Sequence, residues 1–82
     1  MDVKEQLQNF VTDLLRRKGD DAPVTDGGSL ILSGRLDSLE IVEIVAFMEA
    51  ELAVDFVKVG FDREDFESTG SMHALVTRAR VG

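Results

Sequence analysis

Apolar residues recur at three- and four-residue intervals along most of this chain, the spacing of an α-helix with one buried stripe. The first such segment covers residues 3–17, with apolar positions at Val3, Leu7, Phe10, Val11, Leu14 and Leu15. Basic residues and then Gly19 follow it, as is typical of a helix C-terminus. No segment alternates apolar and polar residues in the manner of a half-buried strand. The pattern therefore predicts an all-α fold.

A second helix is predicted to begin at or beside Ser38, in the segment DSLEIVEIVAFMEAEL. Asp37 and Glu40 stand three residues apart, as the two side chains of a capping box do, and the helical pattern continues to Leu52. One face of this helix is expected in the core and carries Ile41, Ile44, Val45, Met48 and Leu52.

A second apolar row lies on roughly the opposite side of the same helix and consists of Leu39, Val42, Ala46, Ala50 and Ala53. A helix that faces one core buries only one such row. The second row is therefore either covered by another helix or available to a partner.

The remaining segments predict a long loop and two further helices. Residues 19–35 contain the only proline and four of the seven glycines, and we expect Leu30, Ile31 and Leu32 to fold back onto the core. FDREDF is long enough for only a short helix. A last helix, capped by Thr69 or Ser71, has apolar residues at Met72, Leu75, Val76 and Ala79. The expected fold is a small four-helix bundle, with three long helices, one short helix and a long loop between the first two.

Length and charge limit the classes of function. Eighty-two residues suffice for one domain, spanning 1–82, and a net charge of −7 disfavours binding to nucleic acid. No apolar run approaches the roughly 20 residues of a membrane span, and the N-terminus lacks the apolar core of a signal peptide. We expect a soluble, cytoplasmic monomer. Without cysteine, the chain has neither disulfides nor a thiol of its own.

Ser38 is the residue best placed for chemistry, because the N-terminus of a helix stabilises a bound or attached phosphate. Alternatively, Ser38 only belongs to the helix cap. As a nucleophile it lacks the G-x-S-x-G motif, and the only histidine, His73, lies 35 residues downstream. A catalytic triad of Ser38, His73 and Asp37 is a weaker interpretation than a surface position for His73. Sequence motifs that bind metal ions or nucleotide phosphates are absent. We therefore expect a protein that is not an enzyme.

The acidic residues concentrate in the middle of the chain. Residues 37–67 contain ten Asp and Glu against two Lys and Arg. Such a segment is either a solvated surface or a docking surface for basic partners. Glu40 and Glu43 are interpreted as surface carboxylates and not as a catalytic pair, because the sequence indicates no pocket around them.

Gly34, the run Leu36-Asp37-Ser38-Leu39 and the acidic helix that follows resemble the carrier protein family, which includes acyl and peptidyl carrier proteins. The resemblance covers almost the whole chain. It implies that a phosphopantetheinyl transferase attaches 4′-phosphopantetheine from coenzyme A to Ser38, with Asp37 and Leu39 at the attachment site. The thiol of that arm would carry thioesters for fatty acid, polyketide or aminoacyl biosynthesis. The segment VKVGFDREDFES is similar to D-alanyl carrier proteins, so the cargo is an acyl or aminoacyl group.

The resemblance also implies partners that dock on the second helix: the transferase, a loading ligase, and a downstream synthase or transferase. The residues that it assigns to this contact are Glu40, Val42, Glu43, Ala46 and Glu49. A different class of function uses the same surface. In that alternative, the chain is an unmodified acidic helical adaptor that binds a basic partner through the second helix and does not need the Ser38 hydroxyl.

Overall fold

The computed structural model describes residues 2–25, 27–58 and 60–79 of the chain. These residues contain three α-helices, α1 (Val3–Arg17), α2 (Ser38–Glu51) and α3 (Thr69–Ala79), and one 3₁₀ turn (Arg63–Phe66). The all-helical prediction is confirmed for this part of the chain. The prediction of a four-helix bundle is wrong, because the segment expected to form the short fourth helix makes only the 3₁₀ turn.

The 3₁₀ turn is held by one local hydrogen bond and by the packing of one aromatic ring. The Asp62 N–H donates to the Asp65 carboxylate at 2.8 Å, and the turn ends at Phe66, which is fully buried. A single turn gains too few hydrogen bonds to offset the entropy lost when a helix is nucleated. The tertiary packing of Phe66 therefore stabilises this turn.

Both long helices begin where polar side chains cap them. Asp2 accepts a hydrogen bond from the Lys4 N–H at 3.2 Å, and α1 then runs over the predicted residues 3–17. Gly19 follows α1 with a φ of +90°, a conformation that favours glycine. The start of α2 at Ser38, with Asp37 and Glu40 forming a capping box, confirms the second prediction.

The last helix is capped one residue earlier than predicted. The Ser68 hydroxyl, and not that of Thr69 or Ser71, accepts the hydrogen bond from the Ser71 N–H at 3.1 Å. Thr69 is instead the first helical residue and is fully buried, with its hydroxyl donating to the Thr25 carbonyl at 3.4 Å. The α3 N-terminus is therefore tied to the long loop.

The core joins the three helices to the loop. Its buried apolar side chains are Leu7, Val11, Leu14, Leu15, Leu30, Leu36, Ile44, Met48, Leu52, Val54, Phe66, Met72, Leu75 and Val76. On α2, the predicted core face is confirmed at Ile44 and Met48, while Ile41 and Val45 are only partly buried. In the loop, Leu30 is buried as expected, but Leu32 is 86% exposed.

Hydrogen bonds join the two ends of the long loop to each other and tie its middle to the end of the 3₁₀ turn. The Arg35 guanidinium donates to the Asp20 carboxylate at 2.8 and 3.3 Å and to the carbonyls of Ala22 and Pro23. Arg35 lowers the pKa of Asp20 through these hydrogen bonds. In the middle of the loop, the Leu30 N–H donates to the carbonyl of Glu67, the residue that follows the 3₁₀ turn, at 2.7 Å. These contacts position Leu36 in the core, directly before the start of α2.

Candidate functional site

Ser38 is the first residue of α2, and its side chain is exposed. Asp37 supplies the cap, because its Oδ1 accepts from the N–H groups of Leu39 at 3.0 Å and Glu40 at 3.2 Å. Among the described residues, the Ser38 hydroxyl forms no hydrogen bond. The alternative that the Ser38 hydroxyl serves the helix cap is therefore wrong for the described part of the chain.

The residues beside Ser38 are held by an ion pair that links α2 to the end of α1. The Glu40 Oε1 accepts from the Lys18 Nζ at 2.6 Å and from the Asp37 N–H at 3.0 Å, and the Lys18 Nζ also donates to the Arg35 carbonyl at 2.9 Å. Glu40 is only 6% exposed. Its interpretation as a surface carboxylate is therefore wrong, because its oxygen is used inside the domain.

Hydrogen bonds around this ion pair also shift the pKa values of Lys18 and Asp37. The hydrogen bond to Glu40 raises the pKa of Lys18, so the ammonium stays charged. The hydrogen bond from the Glu40 backbone N–H is the largest effect that lowers the pKa of Asp37, so that carboxyl is ionised at neutral pH. Lys18 was not predicted to belong to this site, because it lies 22 residues from Glu40 and no local pattern connects the two.

An apolar groove of about 380 Å³ begins at Ser38. We call it the Ser38 groove, and it is lined by Ser38, Ile41, Val42, Val45, Phe61 and Arg63. Phe61 is 43% exposed. The centroid of its ring lies 4.8 Å from that of Phe56 and 5.3 Å from that of Phe66, and both pairs pack edge to face. Phe61 and Arg63 were not predicted as site residues, because they lie more than 20 positions after Ser38 in the sequence. The partial burial of Ile41 and Val45 reflects their position on the groove wall.

The second apolar row of α2 is uncovered. Leu39 is 69% exposed and Val42 is 63% exposed, and Ala46 and Ala50 are exposed as well. Ala53 was predicted in this row but lies beyond the end of α2, with a φ of +57°. Glu43 and Glu49, which border the row, are also exposed. The row was expected either to be covered by another helix or to be available to a partner. In the described part of the chain, no helix covers it.

The described residues neither join His73 to Ser38 or Asp37 by a hydrogen bond nor form a cluster of metal-ligating side chains. His73 lies on α3, is partly buried, and forms no hydrogen bond with Ser38 or Asp37 in the described part of the chain. It does not line the Ser38 groove. No group of three or more potential metal-ligating side chains occurs within residues 2–25, 27–58 and 60–79. The described residues therefore give no support to the triad of Ser38, His73 and Asp37, which was the weaker interpretation.

The arrangement can accept a substituent on Ser38 without loss of the helix cap, and it offers that substituent an apolar groove. Within the described residues, no helix is both long enough and apolar enough to span a membrane. Comparisons with protein-family models, with curated proteins and with solved structures found no match for this chain.

Proposed function

We propose that this protein is a carrier that holds acyl or aminoacyl groups as thioesters on a 4′-phosphopantetheine arm attached to Ser38. The observation that carries the proposal is the exposed hydroxyl of Ser38, which the cap of α2 does not use. In the attachment step, the Ser38 Oγ bonds to the phosphorus of the phosphopantetheine half of coenzyme A. The phosphoanhydride bond breaks, and adenosine 3′,5′-bisphosphate and the hydroxyl proton leave.

The surroundings of Ser38 fit such a group. The N-terminus of a helix favours a phosphate by its dipole, and both capping hydrogen bonds of Asp37 go to one oxygen, Oδ1. The other oxygen, Oδ2, can face the Mg²⁺ or the basic residues of a phosphopantetheinyl transferase. Lys18 offsets the charge of Glu40 beneath this site, which reduces repulsion of the incoming phosphate.

The lack of cysteine gives this proposal a direct test, because the arm would supply the only thiol of the protein. The folded protein is incubated with coenzyme A, Mg²⁺ and a broad-specificity phosphopantetheinyl transferase, and is then freed of small molecules. Titration with a thiol-specific disulfide reagent should find no thiol before the reaction and one per chain after it. A folded chain that gains none, alongside a carrier protein that is modified under the same conditions, would contradict the proposal.

The uncovered face of α2 is the proposed docking surface for the transferase, the loading ligase and the downstream synthase or transferase. We define it as Leu39, Val42, Glu43, Ala46 and Glu49. Its exposed apolar centre and acidic border suit partners that present an apolar patch surrounded by Lys and Arg. The buried Glu40 is left out of this surface, because its carboxylate already binds Lys18.

Charge reversal tests the docking surface. The double variant Glu43→Lys, Glu49→Lys should slow modification by the transferase about tenfold or more at low salt and lessen its salt dependence, because the surface steers basic partners. Asp13→Lys, an exposed reversal on α1, is the matched control and should have little effect. Circular dichroism checks the folding of each variant. Equal rates for the double variant and the wild type would rule out this surface.

The unmodified adaptor remains the second candidate function, because the same exposed row and acidic border would serve it. It differs from the carrier in one respect. An adaptor should bind its basic partner equally well after Ser38→Ala, and the wild type should gain no thiol. A thiol on the wild type and none on the Ser38→Ala variant would exclude the adaptor as the whole function.

A further inference from the structure

Arg63 brings a positive charge to the Ser38 groove, whose other lining residues, apart from Ser38, are all apolar. Arg63 is exposed at the start of the 3₁₀ turn. Three other cations of the domain each pair with a carboxylate: Lys18, Arg35 and Arg78. Within the described residues, Arg63 makes no such pair, although its charge contributes to lowering the pKa of the Glu67 carboxyl, which already accepts hydrogen bonds from Ser29 and Leu32. A guanidinium at the rim of an apolar groove, facing the same space as Ser38, is therefore available to an anion.

We propose that Arg63 binds the phosphodiester that joins the arm to Ser38, and that the arm consequently rests in the Ser38 groove. This inference depends on the proposed function. A phosphodiester carries one negative charge, and a guanidinium can donate two parallel hydrogen bonds to its oxygens. The charge is needed here, because the exposed carboxylate of Asp37 adjoins Ser38 and would otherwise repel the phosphate.

The apolar part of the groove matches the segment of the arm next to the phosphate. That segment has a carbon bearing two methyl groups, which would lose contact with water against Val42, Val45 and Phe61. Arg63 thus suits the phosphate, and the apolar wall of the groove suits the dimethyl group. The occupant of the groove is therefore the arm itself, and a partner must displace the arm to reach its thiol.

The backbone that carries Arg63 and the ring of Phe61 are positioned by the packing of Phe66. The 3₁₀ turn is fixed at one end by the hydrogen bond from the Asp62 N–H to Asp65 and at the other by the buried ring of Phe66. The ring of Phe61 contacts that of Phe66 edge to face, at an interplanar angle of 85°. Less side-chain and backbone entropy is lost on binding when a site is preformed.

Nuclear magnetic resonance of the apo and modified protein tests the inference. Modification should give the folded protein a phosphodiester ³¹P signal that differs from that of the same modified protein unfolded in urea, and should move the backbone amide signals of Val42, Val45 and Phe61. In modified Arg63→Met, these shift changes should fall by at least half, and Arg63→Lys should retain part of them. Arg17→Met, at an exposed arginine of α1, is the matched control and should behave as the wild type.

The outcomes separate this inference from the proposed function. A chain that takes no phosphopantetheine overturns both. A chain that is modified, but whose amide signals move equally in the wild type and in Arg63→Met, overturns the role of Arg63 alone. Modification without any change at Val42, Val45 and Phe61 shows an arm that extends into solvent and also overturns the inference.

Discussion

Ser38→Ala is expected to abolish attachment of the phosphopantetheine arm and to leave the fold of the protein unchanged. The Ser38 hydroxyl makes no hydrogen bond within the described residues, and Asp37 supplies the cap of α2 without it. Alanine is also a strong helix former. The free energy of unfolding should therefore stay within about 0.5 kcal/mol of the wild-type value, as at other exposed positions without a structural role.

Intact mass after incubation with coenzyme A and the transferase, together with urea unfolding, measures both parts of this prediction. Ser33→Ala is the control, because Ser33 is exposed five positions before Ser38 and its hydroxyl donates to the Ser29 carbonyl at 2.7 Å. Ser33→Ala should gain one phosphopantetheine, and Ser38→Ala should gain none. Modification of Ser38→Ala at the wild-type rate would show that the attachment site is elsewhere.

Phe66→Ala should have the largest effect on stability, lowering the free energy of unfolding by about 3–5 kcal/mol. The ring of Phe66 is fully buried, and it joins the 3₁₀ turn to the core beneath Phe61. Its removal leaves a cavity that the single turn cannot collapse to fill. Small domains have only about 5–15 kcal/mol of stability in total. The variant should therefore lie close to its unfolding transition at 37 °C.

Urea unfolding followed by circular dichroism checks this value. Phe61→Ala is the matched control, since Phe61 is 43% exposed and should lose only about 1 kcal/mol. A loss at Phe66 no larger than that at Phe61 would mean that the 3₁₀ turn is not anchored by this ring. It would also weaken the case for a preformed Ser38 groove, because the same anchor holds Arg63.

The helices that could be predicted from sequence are those with both a capping residue and several turns of apolar spacing. Residues 3–17 satisfy both conditions, and so does the segment that begins at Ser38. The short helix was mispredicted because six residues cannot distinguish an α-helix from a 3₁₀ turn. The two differ here through the burial of Phe66, which depends on the rest of the fold.

The candidate site was predictable only where its signal is local. Ser38 follows a capping aspartate, so its position at a helix start is evident from its neighbours. Glu40 was misassigned to the surface because its partner, Lys18, lies on another helix. Arg63 and Phe61 were missed because only the fold brings them to the same groove as Ser38. Exposure of the row containing Leu39 and Val42 likewise depends on which face α1 and α3 leave free.

The most direct test of the central claim is the mass of one tryptic peptide from the protein after reaction with coenzyme A and the transferase. Cleavage after Arg35 and after Lys58 releases residues 36–58, in which Ser38 is the only residue with a hydroxyl side chain. The assignment of Ser38 as the attachment site predicts that this peptide, and no other, gains the mass of one phosphopantetheine. An unmodified 36–58 peptide from a fully digested sample would contradict it, wherever else the group had gone.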